Sequence, residues 1–111
     1  MAYDKQLAER IRKTLARHKG ITEKHMFGGL SFMKNGKMAC GALNEDLVVR
    51  VGPDEHERAL SRAHARPMDF TGKPMKSMVY VSQEGCKTDK ALEQWIELGV
   101  RYAATPPGAR R

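Results

Sequence analysis

The first twenty residues alternate between apolar and polar positions with the period of an α-helix. Apolar side chains recur every four residues, at Tyr3, Leu7, Ile11 and Leu15. This spacing places them on one face of a helix, where they can pack against a core. Because Asp4 lies near the start and Gly20 can end the helix, the pattern predicts a helix from Tyr3 to about Lys19.

After Gly20 the pattern changes to short extended segments separated by turn residues. Two runs, 30–33 and 38–43, flank Asn35-Gly36, a dipeptide that suits the positive φ angles of a tight hairpin turn. A third run, 47–51, follows after three polar residues. Because no helix-length segment separates these runs, neighbouring strands should pair in antiparallel fashion. The region predicts three or four antiparallel strands.

The second half of the chain begins with a predicted helix and continues as a pair of strands. Gly52-Pro53 opens this second helix, which should run to about Ala63. Arg66-Pro67 then forces an extended path. The runs 68–70 and 75–81, separated by a turn that contains Gly and Pro, indicate two further strands.

A third helix closes the predicted fold. Thr88 or Asp89 can cap it, and its apolar face includes Trp95, the largest core side chain available. The element order is α-β(3-4)-α-β(2)-α, which predicts an α+β two-layer sandwich with an antiparallel sheet. We expect a single domain over residues 1–104 and a flexible basic tail over residues 105–111.

Composition is typical of an ordered cytoplasmic domain. Of the 111 residues, 41% are hydrophobic and 30% are charged, so extensive disorder is not expected. No apolar run approaches the ~20 residues of a membrane span, and Met1 to Gly20 lacks the uninterrupted apolar segment of a signal peptide, so we expect a cytoplasmic protein without a membrane partner. Cys40 and Cys86 are too few for a disulfide framework and should be buried, reduced thiols.

The net charge of +7 favours an anionic partner such as nucleic acid, but the excess lies near the two ends of the chain. The first 24 residues carry seven basic and three acidic side chains. A solvated helix face is the commoner meaning of such a pattern, and direct nucleic-acid binding is the alternative. Under that alternative the contacts would come from Lys5, Arg12, Lys13, Arg17, Arg110 and Arg111.

The sequence carries no recognised catalytic or metal-binding motif. The four histidines lie on different predicted elements, without a His-Glu-x-x-His or Cys-x-x-Cys pattern. Folding could bring His25 and Cys40 together, although coincidental placement is the simpler interpretation. Gly28-Gly29 leads into a strand and lacks the Lys-Ser/Thr of a phosphate-binding loop, so it is interpreted as a bulge or a tight strand start. We expect no catalytic residue, no metal and no cofactor.

Ordered motifs along the chain resemble one known family. They are Met26-Phe27-Gly28-Gly29, Asn35-Gly36-Lys37-Met38-Ala39-Cys40-Gly41, Val49-Arg50-Val51-Gly52 and the segment from Ala65 to Lys76. Over roughly Tyr3 to Tyr102 the chain resembles the N-terminal domain of the TfoX/Sxy bacterial competence regulators. The resemblance implies a secretion-chaperone-like fold, α-β(3)-α-β(2)-α, a role in transcriptional regulation and no established catalytic residue. Full-length members continue into a further, C-terminal domain, and the motifs in this chain match the N-terminal domain alone. We therefore expect a stand-alone N-terminal domain.

Two functional hypotheses remain. The first is a non-enzymatic regulatory or adaptor domain that binds another protein, and the second is direct nucleic-acid binding. A protein could dock at a sheet edge, where a homodimer could also form, or around the glycine pair. A basic loop could also hold a phosphate or an acidic partner, although a solvated loop and core packing of Phe27 are the simpler interpretations. The candidate interaction residues are Met26, Phe27, Gly28, Gly29, Arg66, Lys73 and Lys76.

Overall fold

A computed structural model describes residues 3–26, 28–68 and 75–104 of the chain. Within them, three α-helices and six strands follow the predicted order, with a short 3-10 helix, Gln83–Cys86, before the last helix. The helices are α1 Lys5–Leu15, α2 Pro53–Leu60 and α3 Asp89–Ala104. The strands are β1 Ile21–Met26, β2 Gly29–Lys34, β3 Lys37–Leu43, β4 Asp46–Arg50, β5 Ala65–Met68 and β6 Met75–Val81.

The six strands form one sheet in the order β1-β2-β3-β4-β6-β5, with every neighbouring pair antiparallel. The predicted Asn35-Gly36 turn joins β2 to β3, and both residues have positive φ, 52° and 83°. Gly28, at φ 77°, makes the turn between β1 and β2. These turns confirm the antiparallel connections, and the first region contains four strands rather than three.

The helices and one face of the sheet enclose the main core, which confirms the α+β fold. Ile11 of α1 and Ile96 of α3 are fully buried together with Phe32 and Leu47 of the sheet. Trp95 is 2% exposed and belongs to the same cluster, as its apolar spacing predicted. Burial of these large side chains is the main stabilising contribution that the helices bring to the sheet.

A second, smaller apolar cluster uses the other side chains of the same strands. Val48 lies between Leu47 and Val49 in β4, and successive strand side chains point to opposite faces. Leu47 and Val49 belong to the main core, whereas Val48 belongs to the second cluster. The buried members of that cluster are Met38, Leu43, Val48 and Met78, with Met33 and Tyr80 packed against them.

Element boundaries differ from the sequence-based expectation at three places. Helix α1 ends at Leu15 rather than near Lys19, because the chain turns there with a hydrogen bond from the His18 N–H to the Leu15 carbonyl at 2.9 Å. Helix α2 ends at Leu60 rather than near Ala63. The hydroxyl of the next residue, Ser61, donates to a carbonyl of the last turn at 2.6 Å and so competes with the helical pattern.

The fifth strand begins earlier than expected and contains Pro67. Proline is tolerated there because β5 is an edge strand, where a missing N–H need not break the ladder. Residues 69 and 70 of the predicted strand, and the predicted tail over residues 105–111, lie outside the described residues. Among the residues described, no helix is both long enough and apolar enough to cross a membrane.

Candidate functional site

The glycine pair serves the backbone, as its sequence context indicated. Gly28 is exposed in the turn, while Gly29 is buried as the first residue of β2. A Cβ at Gly29 would collide with the carbonyl oxygen of Ala42 on β3, so the strands could not approach as closely with another residue there. The predicted contact residue Phe27 and the side chain of Met26 lie outside the described part of the structure.

Only one member of the predicted basic loop cluster has a described side chain. Arg66 donates from Nη2 to Oδ2 of Asp46 at 2.5 Å, and its guanidinium lies 5.2 Å from the centre of the Tyr80 ring. The guanidinium is therefore already paired with a carboxylate of its own chain. Lys73 and the side chain of Lys76 lie outside the described residues, so the predicted convergence of the three cations stays a prediction.

Arg12 of the predicted nucleic-acid face is also paired within the chain. Its Nε and Nη2 donate to the two carboxylate oxygens of Glu23 on β1 at 2.6 Å and 2.8 Å, and Nη1 contacts Glu9. The hydrogen bond between Arg12 and Glu23 lowers the pKa of Glu23 and raises the pKa of Arg12. A phosphate would have to displace a bidentate carboxylate to reach this guanidinium.

Arg17, two residues after the end of α1, pairs with α3. Its Nη2 donates to Glu93 at 2.8 Å, and the neighbouring His18 ring contacts Glu97 through Nε2 at 3.0 Å. Lys5 and Lys13 are exposed, and no ion pair to either is found within residues 3–26, 28–68 and 75–104. Arg110 and Arg111 lie outside those ranges. Of the predicted nucleic-acid contacts within the described residues, both arginines, Arg12 and Arg17, are therefore paired with carboxylates.

The structure places a groove between α2 and α3 that the sequence did not indicate. Two adjoining cavities of about 440 Å³ and about 310 Å³ share Arg62, Leu98 and Arg101, so they form one continuous surface feature. Ala59 and Leu98 are its apolar lining residues, and the other residues that line it are charged or polar. The groove is lined by Glu55, Arg58, Ala59, Arg62, Glu93, Gln94, Glu97, Leu98 and Arg101.

Arg62 occupies the centre of this groove. Its guanidinium carbon lies 4.5 Å from the centre of the Trp95 ring, and Nη2 donates to the side-chain oxygen of Gln94 at 3.4 Å. The only sequence signal was weak: Arg58 and Arg62 are four positions apart at the end of a predicted helix with few apolar residues. The meeting of Arg62 with Trp95 depends on how α2 and the residues after it pack beside α3.

Burial makes the two thiols poor nucleophiles. Burial raises the pKa of Cys40 to about 12, and burial also raises the pKa of Cys86. Both cysteines are free and buried, as expected from their number. Cys40 lies in the core while His25 is exposed on β1, and the described residues contain no group of three His, Cys, Asp or Glu side chains placed to hold a metal ion.

Comparison with known proteins identifies a family for almost the whole domain. The chain matches the family described as the TfoX N-terminal domain over residues 13–103. No curated protein and no solved structure matches the sequence. The matched range includes every strand, α2 and all but the last residue of α3.

Proposed function

Since this chain belongs to the TfoX N-terminal domain family, we propose that it is a non-enzymatic adaptor domain that acts in transcriptional regulation by binding another protein. The observation that supports protein binding is the groove between α2 and α3. Its apolar floor at Ala59 and Leu98 lies beside exposed arginines, and Arg62 stacks on Trp95. Arginine and aromatic side chains are enriched in protein interfaces and at their energetic centres.

The ion pairs of Arg12 and Arg17 favour a protein partner over a nucleic acid. Arg12 and Arg17 hold carboxylates of β1 and α3, so they contribute less to a positive surface than the sequence suggests. Nucleic-acid binding draws most of its affinity from cations that neutralise phosphates. A guanidinium that is already paired must first lose its carboxylate, and this cost reduces the free energy that it gains by binding a phosphate.

The test is affinity capture with the purified chain as bait from a nuclease-treated lysate of the native host. Wild type is compared with Arg62→Glu in the groove and Lys13→Glu on α1, two exposed positions that undergo the same charge reversal. We expect one protein to be captured by wild type and by Lys13→Glu and to be lost with Arg62→Glu. Identical capture by all three proteins would exclude the groove as the binding surface.

Direct nucleic-acid binding remains the second candidate, favoured by the exposed Lys5 and Lys13 and by the net charge of +7. A mobility-shift assay with DNA and RNA at low salt tests it, using Glu23→Gln to remove the bidentate carboxylate partner of Arg12 while its contact with Glu9 remains. If α1 binds phosphates, this variant should bind more tightly than wild type, with a steeper loss of affinity as salt rises. The adaptor proposal predicts no shift with either protein.

Two of the residues chosen from the sequence remain secondary contact candidates. Gly28 is exposed in the turn between β1 and β2, and Arg66 is an exposed arginine on the edge strand β5. An exposed turn and an edge strand are both surfaces that partner proteins use. An Arg66→Glu variant in the same capture experiment tests this alternative, and loss of the partner there but not with Arg62→Glu would favour it.

A further inference from the structure

We propose that the groove between α2 and α3 binds an acidic segment of a partner protein, with carboxylates on Arg58 and Arg62 and an apolar side chain on Leu98. This proposal rests on the adaptor function above, since it names the chemistry of the partner. It follows from the shape, the charge and the preorganisation of the groove. The residues that would contact the segment are not among those that the sequence had suggested for binding.

The size of the groove suits a short stretch of chain. Its α3 wall runs from Glu93 to Arg101, which at the helical rise corresponds to roughly 12 Å. An extended segment of about four residues covers that distance. The floor at Leu98 and Ala59 is apolar, so such a segment gains most if one of its side chains is apolar as well.

The charge of the groove favours an acidic occupant. The three carboxylates of its walls already contact arginines: Glu55 contacts Arg58, and Glu93 and Glu97 both contact Arg17. Arg62, in contrast, contacts the neutral Gln94 and the Trp95 ring. A positive charge without an opposing carboxylate among these contacts therefore lies at the centre, in a protein whose net charge is +7.

Arg58 can exchange its partner at little cost. Its contact with Glu55 is 3.4 Å long, and the Arg58 side chain is 80% exposed. Exposed pairs of this kind are weak, so a carboxylate from a partner can compete with Glu55. Arg58 and Arg62 are four positions apart, and both line the same cavity, so one acidic segment can reach both.

Stacking prepares Arg62 for a carboxylate. The indole ring of Trp95 is 2% exposed and held by the core, so the guanidinium 4.5 Å from its centre lies against a rigid support. A stacked guanidinium keeps its planar fork of N–H donors available for bidentate pairing. Fixing the side chain before binding reduces the entropy lost on association.

The wall carboxylates argue for a peptide rather than a nucleic acid. Glu55, Glu93 and Glu97 lie along the same groove as the arginines. A phosphodiester chain carries a charge on every nucleotide and would meet these carboxylates at close range. A peptide can present carboxylates at separate positions and place apolar or neutral residues against the acidic parts of the wall.

The experiment uses Trp95, which is the single tryptophan of the chain, as an internal reporter. The purified protein is titrated with a synthetic peptide of about twelve residues, long enough to span the groove in extended form, built from repeats of Asp-Leu-Glu-Ser. The matched peptide carries Asn and Gln in place of Asp and Glu. We expect saturable fluorescence change with the acidic peptide and none with the amide peptide at the same concentrations.

Variants identify the groove as the site. Arg62→Gln and Arg58→Gln should each weaken binding of the acidic peptide by about tenfold, the size expected for a central arginine. Arg62→Lys should bind at an intermediate level because it keeps the charge and loses the planar fork. Lys13→Gln on α1 removes the same charge elsewhere and should bind like wild type. Because Arg58 is exposed, we expect Arg58→Gln to fold normally. It therefore tests the groove even if Arg62→Gln disturbs the fold.

Four outcomes would overturn the proposal. Equal binding of the acidic and amide peptides would remove the role of charge, and equal binding by wild type and Arg58→Gln would place the site elsewhere. A single-stranded oligonucleotide could also displace the peptide. If it binds more tightly than the peptide, and if Arg62→Gln weakens its binding, the groove is a nucleic-acid site. If the peptide fails to bind while Arg62→Glu still abolishes capture from lysate, the acidic chemistry is wrong and the adaptor function stands.

Discussion

A single glycine determines how closely α3 can approach the sheet. Phe32 pairs with Cys40 and Met33 with Met38, so Ala39 is an extra residue in β3. A Cβ on Gly99 would collide with the carbonyl oxygen of Ala39. The missing side chain therefore allows the α3 backbone to rest against this bulge, and it lets the neighbouring Trp95 and Ile96 reach the core.

Replacing Gly99 with alanine tests this contact. Alanine favours a helix by about 1 kcal/mol over glycine, but forced overpacking typically costs 1–3 kcal/mol, and here the obstacle is backbone that cannot rotate away. Because the obstacle is backbone, we expect the cost to lie near its upper end, so that Gly99→Ala lowers the free energy of unfolding by up to about 2 kcal/mol in urea denaturation. Lys90→Ala, exposed in the same helix, is the control and should change stability by less than about 0.5 kcal/mol. A Gly99→Ala protein more stable than wild type would contradict the close contact.

The start of α1 shows how one side chain joins two elements. Oδ1 of Asp4 accepts hydrogen bonds from the N–H groups of Gln6 and Leu7 at 2.8 Å and 3.1 Å, which caps the helix. Its other oxygen, Oδ2, accepts from Nε2 of Gln83 in the 3-10 helix at 2.8 Å. The cap therefore also fixes α1 against the segment that leads into α3.

Asp4 should contribute stability that depends on pH. The hydrogen bond from Leu7 and then that from Gln83 lower the pKa of Asp4 below its ordinary value of 3.8. The stabilisation is therefore present above that value and is lost as pH falls through the lowered pKa of the folded state. Asp4→Ala should lose about 0.5–2 kcal/mol at neutral pH, whereas Asp4→Asn keeps the cap.

Urea denaturation at two pH values, one neutral and one well below the ordinary Asp pKa, measures the contribution of the cap and its dependence on pH. The difference between wild type and Asp4→Ala should shrink at the lower pH. A difference that is the same at both pH values would show that the charge of Asp4 does not contribute.

The two edge strands carry features that oppose pairing with a second chain. Strand β1 exposes Glu23 and Lys24, and β5 contains Pro67, which cannot donate a backbone hydrogen bond. Charged residues and proline are common protective features of sheet edges. A homodimer of this domain would therefore be expected to use a surface other than these edges.

Over the described part of the chain, the main core joins all three helices to all six strands. Residues of α1, α2, α3 and the 3-10 helix belong to one cluster with residues of β2, β3, β4 and β6, and Ile21 of β1 and Ala65 of β5 pack against it. Cys40 and Cys86 are both members of this cluster and are fully buried. Exposure of either thiol therefore requires that this common core opens.

Thiol reactivity should consequently report global unfolding. In native buffer at mildly alkaline pH, Ellman's reagent should react with neither cysteine on the timescale of mixing, because burial raises both pKa values, that of Cys40 to about 12. In denaturant both thiols should react, with a midpoint that matches unfolding followed by circular dichroism. Rapid reaction of one thiol without denaturant would show that part of the core opens separately.

The sequence by itself determined those features that depend on local preferences. Apolar periodicity predicted α1 and α3 because side chains at helical spacing must share a face, and Asn35-Gly36 predicted a hairpin because few residues adopt its positive φ angles. The α+β class followed from the order of these elements, and the motifs around the glycine pair indicated the family. The ends of α1 and α2 were predicted too far along the chain, since they depend on individual hydrogen bonds.

Only the tertiary structure decided which distant groups meet. The pairing of β4 with β6 and the approach of α2 to α3 depend on how the whole core packs, which no local pattern specifies. Arg12 and Arg17 looked available for phosphates in sequence, yet folding brings them to Glu23 and Glu93. The same packing places Arg62 on Trp95, 33 positions along the chain, so the groove arises from long-range contacts that sequence spacing does not encode.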